Sequence, residues 1–262
     1  ILLIFHHVPG AWVWAWLTFS GFVLALTYLA PSIIMPLFNK FEPMQDGELK
    51  EAIYQMAREC AFPLTEITVM DGSRRSAKSN AFFMGFGKNK KIALYDTLVE
   101  NHSTEELVAV LAHEIGHFKR KHIIQRIALS ILQFGILFYL LGHIVNPESM
   151  FAQNLFAAFG IPAEHISPHV GLIFFSILFS PVSRCLGILL NAWSRKHEFE
   201  ADAYAAEAQK TPDHLITALK KLSADNLSNL TPHPLRVTLD YSHPPVLTRI
   251  EALRNAPLDS VT

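Results

Sequence analysis

Three long apolar runs constrain this chain more than any other feature. A helix needs about 20 residues to cross a bilayer. Residues 12–37, 127–145 and 170–193 reach or approach that length, and the only Asp, Glu, Lys or Arg among them is Arg184. Helices that are apolar all round are hard to bury in a small soluble domain. Half of the 262 residues are hydrophobic and only 17% are charged, which is also too apolar for an ordinary soluble domain. Three membrane spans are therefore predicted, with Trp12, Trp14 and Trp16 suited to a membrane interface. No n-region with a small-residue cleavage site precedes the first run, so no signal peptide is expected. A start at Ile1 is what a processed chain, or one continuing upstream, would have.

Charge orients the spans. Residues 146–169, between the second and third runs, contain no Lys or Arg. The opposite ends are basic, with Lys119, Arg120 and Lys121 before the second run and Arg195 and Lys196 after the third. By the positive-inside rule those basic ends face the cytoplasm. Overall, 22 basic and 23 acidic residues leave a net charge of −1, which gives no reason to expect nucleic acid as a partner. Cys60 and Cys185 lie far apart without CxxC spacing, so neither a disulfide framework nor a cysteine metal site is indicated, and each reads as a small buried hydrophobe.

Residues 41–122 read as soluble. Leu49, Ala52, Ile53, Met56 and Ala57 share one face of an amphipathic helix over 46–60. Three strands follow, over 66–70, 81–86 and 91–95, with a hairpin turn at Lys88-Asn89-Lys90. A helix begins at Ser103 or Thr104, with Glu105 and Glu106 in its first turn, and is expected to run on into the second span. Another follows Trp193 to about Ala208, and two short helices with a Pro-rich loop occupy 212–262. The fold class is mainly α: multi-span membrane helices, a zincin-like HExxH core and a small three-stranded β-sheet. Four parts are expected. They are an N-terminal membrane helix (1–40), a catalytic part (41–122), two spans with a non-cytoplasmic loop (123–193) and a C-terminal catalytic part (194–262).

The chemistry sits at His113-Glu114-Ile115-Gly116-His117, which is HExxH on a helix. Residues four apart share a helical face, so both imidazoles can reach one ion. Zinc suits neutral imidazole. Glu114 can act as general base, taking a proton from attacking water and passing it to the leaving amine. Gly116 permits close approach of another element. A catalytic zinc keeps three protein ligands, and the third must come from 194–203 (SRKHEFEADA), where His197, Glu198, Glu200 and Asp202 are all open. Glu198 and Asp202 share a face, whereas Glu200 lies about 200° around from Glu198.

Segments 36–41 (PLFNKF), 71–76 (DGSRRS), 79–87 (SNAFFMGFG), HEIGH, 195–202 (RKHEFEAD) and 241–244 (YSHP) together resemble the type 1 CAAX prenyl protease family. These are a-factor-converting-enzyme-like integral-membrane zinc metallopeptidases, and the resemblance covers nearly all of the chain. It implies one Zn2+ per chain, with Glu198 of an ExxxD motif as the third ligand and Asp202 as its companion. It further implies that Asn80, Ala81, Phe82 and Phe83 belong to an edge strand that pairs with an extended peptide. His243 would steady the oxyanion, and Arg249 would pair with Asp202. Full-length members have more spans, the earliest of which this chain is expected to lack. The expected partners are a peptide or protein substrate and the lipid bilayer, with no nucleic acid and no particular oligomeric state. The alternatives are a membrane-protein quality-control peptidase of the related heat-shock type, or an inactive zinc-bearing scaffold. The expected location is a membrane with the active site toward the cytoplasm, the bacterial inner membrane ahead of the endoplasmic reticulum.

Overall fold

A computed structural model describes residues 10–74, 76, 79–84 and 89–256. The expected strand end at Gly85 and Phe86, the turn residue Lys88, Arg75 of the DGSRRS segment and the tail 257–262 lie outside the described residues. The chain forms two compact units. One holds the described part of Ile1–Thr27 with Ile124–Gly187; the other holds Tyr28–Ile123 with the described part of Ile188–Thr262.

Each predicted span falls within a helix long and apolar enough to cross a membrane: Ala11–Phe38, His122–Val145 and Pro168–Gln209. No more than 17% of the most apolar window of any of them is buried. Water would penalise that much exposed apolar surface, and hydrocarbon would not. In the first helix, Ala30–Ile34 widens to a π-helical turn that includes Pro31, which lacks an amide donor.

The first unit has its own small core of Ala15, Phe138, Leu141, Ile144, Val145 and Phe175. Gly142 lets two helices close up, since a Cβ there would stand 3.0 Å from Trp12 Cβ. Two of the three tryptophans are held by a neighbouring helix. The Trp16 indole donates to the Ile131 carbonyl at 2.9 Å and Trp12 meets Tyr139 edge-on, leaving only Trp14 exposed. An indole N–H beside apolar helices needs an acceptor, and a backbone carbonyl supplies it. Cys185 is likewise exposed rather than buried, because an apolar exterior accommodates what a soluble protein would place in its core. Within 146–169, the helix Met150–Ala158 buries Ala152 and Phe156 against Ile166 and Phe174.

The second unit is built on a sheet of order β1-β2-β4-β3. Its strands are β1 (Phe41–Pro43), β2 (Leu64–Met70), β3 (Ala81–Met84) and β4 (Lys90–Tyr95). β2 and β4 run parallel, while β1 on β2 and β3 on β4 are antiparallel. The sheet thus has one strand more than expected: β1 is three residues ending in a proline, too short to show alternation. The helix Glu48–Glu59 buries Ile53, Met56 and Ala57, three of the five residues assigned to its inner face. They join Ile67, Ile92, Leu94, Leu107, Leu111 and Ile115 in one core.

Three helix boundaries differ from expectation. The motif helix, Thr104–Lys119, does not run on into the second span. Lys121 takes a left-handed conformation (φ 58°), and a new helix begins at His122. Conversely, the third apolar run and the acidic segment after Trp193 form a single 42-residue helix, Pro168–Gln209, called here the ligand helix. The tail holds three helices rather than two: Asp213–Asp225, Pro234–Asp240 and Val246–Asn255. The added one, Pro234–Asp240, is tied down by Arg195, which donates to the carbonyls of Val237 and Tyr241 at 3.1 and 2.6 Å.

Candidate metal centre

The motif helix is fixed at its start by a capping box. The Ser103 hydroxyl accepts from the Glu106 amide at 3.3 Å, and the Glu106 carboxylate accepts from the Ser103 amide at 2.8 Å. Lys221 Nζ then donates to Glu106 at 2.7 Å, tying on the helix Asp213–Asp225. Leu107, Leu111 and Ile115 bury one face, and Gly116 faces the ligand helix. A Cβ at Gly116 would stand 3.1 Å from both Ala201 Cα and Tyr204 Cβ. Its absence allows the two helices to approach where each presents its polar side chains.

At that approach His113 Nε2 lies 3.2 Å from His117 Nε2. Glu198 Oε1 is 3.4 Å from His117 Nε2, and Glu198 Oε2 is 3.7 Å from His113 Nε2. An ion with tetrahedral bonds of about 2.1 Å needs ligand atoms about 3.4 Å apart. The donor set of two imidazoles and a carboxylate therefore fits a divalent metal in both chemistry and spacing. His113 and Glu198 are 7% and 5% exposed, a depth at which converging polar atoms need a common partner.

Each donor is held from behind. Asp202 Oδ1 is 2.9 Å from His113 Nδ1, and the Arg249 guanidinium grips Asp202 with bonds of 2.8 and 2.5 Å. Arg249 Nη2 is also 3.4 Å from His113 Nδ1, but the nearer carboxylate is an acceptor and decides that Nδ1 carries the proton. Arg249 Nη1 reaches Glu198 Oε2 at 3.5 Å. Burial alone would lower the Arg249 pKa, but the hydrogen bonds and charges of Asp202, Glu198 and Glu114 raise it above its ordinary value. Glu114 is half-buried on the motif helix between the two histidines. His243 is exposed, with its Nε2 3.4 Å from Glu198 Oε1 and its Nδ1 3.0 Å from the Ser242 hydroxyl.

Ala81, Phe82 and Phe83 lie on β3, with Asn80 immediately before it. That strand pairs with β4 through Ala81–Leu94, Phe82–Ala93, Phe83–Ile92 and Met84–Lys91. Its other edge meets no strand among the described residues. The Asn80 carbonyl accepts from the Tyr95 amide at 3.0 Å, extending the ladder by one residue.

A family model described as peptidase family M48 matches residues 43–256, from the first strand through the C-terminal helix. The chain belongs to peptidase family M48. It is similar to the CAAX prenyl protease 1 homolog of Oryza sativa subsp. japonica, at 38% identity over 98% of this chain and 59% of that protein. It is equally similar to CAAX prenyl protease 1 of Saccharomyces cerevisiae, at 38% identity over 96% of this chain and 58% of that protein. The crystal structure of Ste24p from S. mikatae superposes with a TM-score of 0.83 at 35% identity, over 96% of this chain and 61% of that one. The chain spans about three-fifths of the length of these relatives. As an M48 chain with three apolar helices it is a membrane protein of the expected, mainly α class, and its histidine–glutamate cluster suits the metal that such a family implies.

The sequence reading missed His122. It closes a stretch that reads as soluble, yet its Nδ1 lies 2.9 Å from His117 Nδ1 and its Nε2 3.0 Å from Glu200 Oε2. The signal was a third histidine five residues past HExxH. Read as one continuous helix, those positions point about 140° apart, which hid the contact.

Proposed function

We propose that this chain carries the centre of a membrane-embedded zinc endopeptidase of the CAAX prenyl protease 1 type. The observation that carries the reading is the convergence of His113 Nε2, His117 Nε2 and one carboxylate, Glu198, within 3.2–3.7 Å at an HExxH helix. Those three side chains would hold one zinc ion. Zinc, when bound, supplies Lewis acidity that makes water nucleophilic near neutral pH.

The remaining work belongs to the chain. Asp202 and Arg249 keep His113 in one orientation, and Arg249 also steadies Glu198. Glu114 takes a proton from the attacking water and delivers it to the departing amine. His243 donates from Nε2 to the oxyanion of the tetrahedral intermediate. The open edge of β3 aligns an extended peptide by main-chain hydrogen bonds, with Asn80, Ala81, Phe82 and Phe83 contributing its surface.

Likeness to proteins named for CAAX prenyl proteolysis supports a prenylated CAAX peptide as substrate. The test is cleavage by purified protein of a farnesylated CAAX peptide beside an unfolded membrane protein, with chelator and after zinc is restored. The CAAX peptide should be cut, chelator should stop it and zinc should restore it. Cutting of only the unfolded protein would favour quality control, and chelator-resistant cutting would overturn the zinc reading.

The basic ends of the spans support a centre facing the cytoplasm. The relatives named above are eukaryotic and lend the bacterial inner membrane no support. In a background lacking Cys60 and Cys185, Ser149→Cys and Ser228→Cys should label from opposite sides with a membrane-impermeant reagent. Labelling of both from one side of intact cells would refute this topology.

A further inference from the structure

We infer that Glu200 and His122 are positioning residues that set which nitrogen of His117 carries its proton, and so aim the His117 Nε2 lone pair at the metal centre. The inference rests on the reading of His113, His117 and Glu198 as metal ligands.

The chain of contacts determines the protons one at a time. His122 Nε2 lies 3.0 Å from Glu200 Oε2. A carboxylate only accepts, so that nitrogen of His122 donates. A neutral imidazole has one N–H, so His122 Nδ1 is left as an acceptor. It lies 2.9 Å from His117 Nδ1, and the proton in that contact must therefore belong to His117. His117 Nε2 is then bare, and it is the atom facing His113 Nε2 and Glu198 Oε1. Carboxylates one step behind a metal-binding histidine do the same in many sites. Here a second imidazole is interposed.

The backbone is shaped for this contact. The left-handed turn at Lys121 ends the motif helix and folds His122 back under His117. His122 is 2% exposed, and its ring stacks on His197 with centroids 3.8 Å apart and planes 5° apart. Lys196 Nζ lies 3.7 Å from the other oxygen of Glu200.

The same three side chains, His122, His197 and Glu200, have ligand atoms within 4.8 Å of one another and could be taken for a second metal site. Two features oppose that. Imidazole lone pairs lie in the ring plane, and those of two stacked parallel rings do not converge on one ion. In addition, an ion on His122 Nε2 would place that ring's proton on Nδ1 and force the His117 proton onto Nε2, disabling the first centre.

The experiment uses purified, zinc-loaded protein with 15N-labelled histidine. Zinc retention is measured against a competing chelator, and ring tautomers are read by NMR. His117 should show the Nδ1–H tautomer. Glu200→Ala and His122→Phe, which keeps an aromatic ring on His197, should each weaken zinc retention about 10- to 100-fold. Glu200→Gln, whose amide oxygen can still accept from His122, should recover part of that loss. The inference is overturned if both Glu200→Ala and His122→Phe hold zinc like the wild type, or if His117 shows Nε2–H. Binding of a second zinc that His122→Phe removes would also overturn it. Failure of the wild type to bind zinc at all would instead overturn the proposed function, and this inference with it.

Discussion

The two histidines of the motif are supported in different ways. Behind His113 stands a buried clamp, Asp202 held by both arms of Arg249, with side chains 3% and 12% exposed. Behind His117 stands a second imidazole and then Glu200, whose side chain is 35% exposed. The first support is also part of the fold, since Arg249 joins the helix Val246–Asn255 to the ligand helix. The second ends near solvent, at the partly exposed Glu200. A change at Asp202 should therefore disturb fold and metal together, and a change at Glu200 the metal more than the fold.

The largest effects come from removing what both supports serve. His113→Ala or His117→Ala should abolish stoichiometric zinc and turnover. Glu114→Gln should keep zinc but lower turnover by about 10²–10⁴-fold, because the attacking water loses its base. Elemental analysis beside a peptidase assay separates holding the ion from using it. A Glu114→Gln protein with wild-type turnover would mean that the base lies elsewhere.

Next comes the clamp itself. Asp202→Ala leaves the Arg249 charge buried without its main partner, a change that costs about 3–5 kcal/mol. A clear fall in the melting temperature, in apo and zinc-loaded protein alike, is expected. Glu200→Ala should lower the apo melting temperature less, since its carboxylate is partly exposed. Equal destabilisation by the two would erase the contrast between the supports.

Much of this was legible in the sequence because it rests on short-range periodicity. The three spans follow from run length, and the convergence of His113 with His117 from four-residue spacing. The start of the motif helix follows from Ser103 and the acidic pair Glu105 and Glu106. Spacing also separates Glu200 from the Glu198 face, but it does not reveal that Glu200 reaches His117 through His122. That contact depends on a left-handed residue, Lys121, of a type with no preference for such a conformation. Likewise β1 owes its place to pairing with β2 across a gap in sequence, which no local pattern reveals.

A smaller effect is expected where the helices meet. Gly116→Ala would push against Ala201 Cα at 3.1 Å and its carbonyl at 3.2 Å, backbone atoms that cannot swing aside. Overpacking of this kind costs about 1–3 kcal/mol. Because it moves Glu198 away from both histidines at once, zinc retention should fall without favouring either support. An unchanged melting temperature would show that the helices have room to part.

The smallest expected effect bears most directly on the contrast. Lys196 Nζ is 3.7 Å from Glu200 Oε1, while His122 holds Oε2 at 3.0 Å, so two groups compete to be what orients this carboxylate. The lysine side chain is 71% exposed and sits one turn before Glu200. Exposed pairs at this spacing contribute about 0.3–0.5 kcal/mol, roughly a twofold change in an equilibrium. The buried imidazole contact is shorter and less screened, and should dominate. Lys196→Ala should therefore change zinc retention by about twofold or less and leave the His117 tautomer as it was. A tenfold loss, about 1.4 kcal/mol, would mean that the lysine rather than His122 orients Glu200. The support behind His117 would then be a surface ion pair, sensitive to salt, with His122 following the carboxylate instead of being fixed by it.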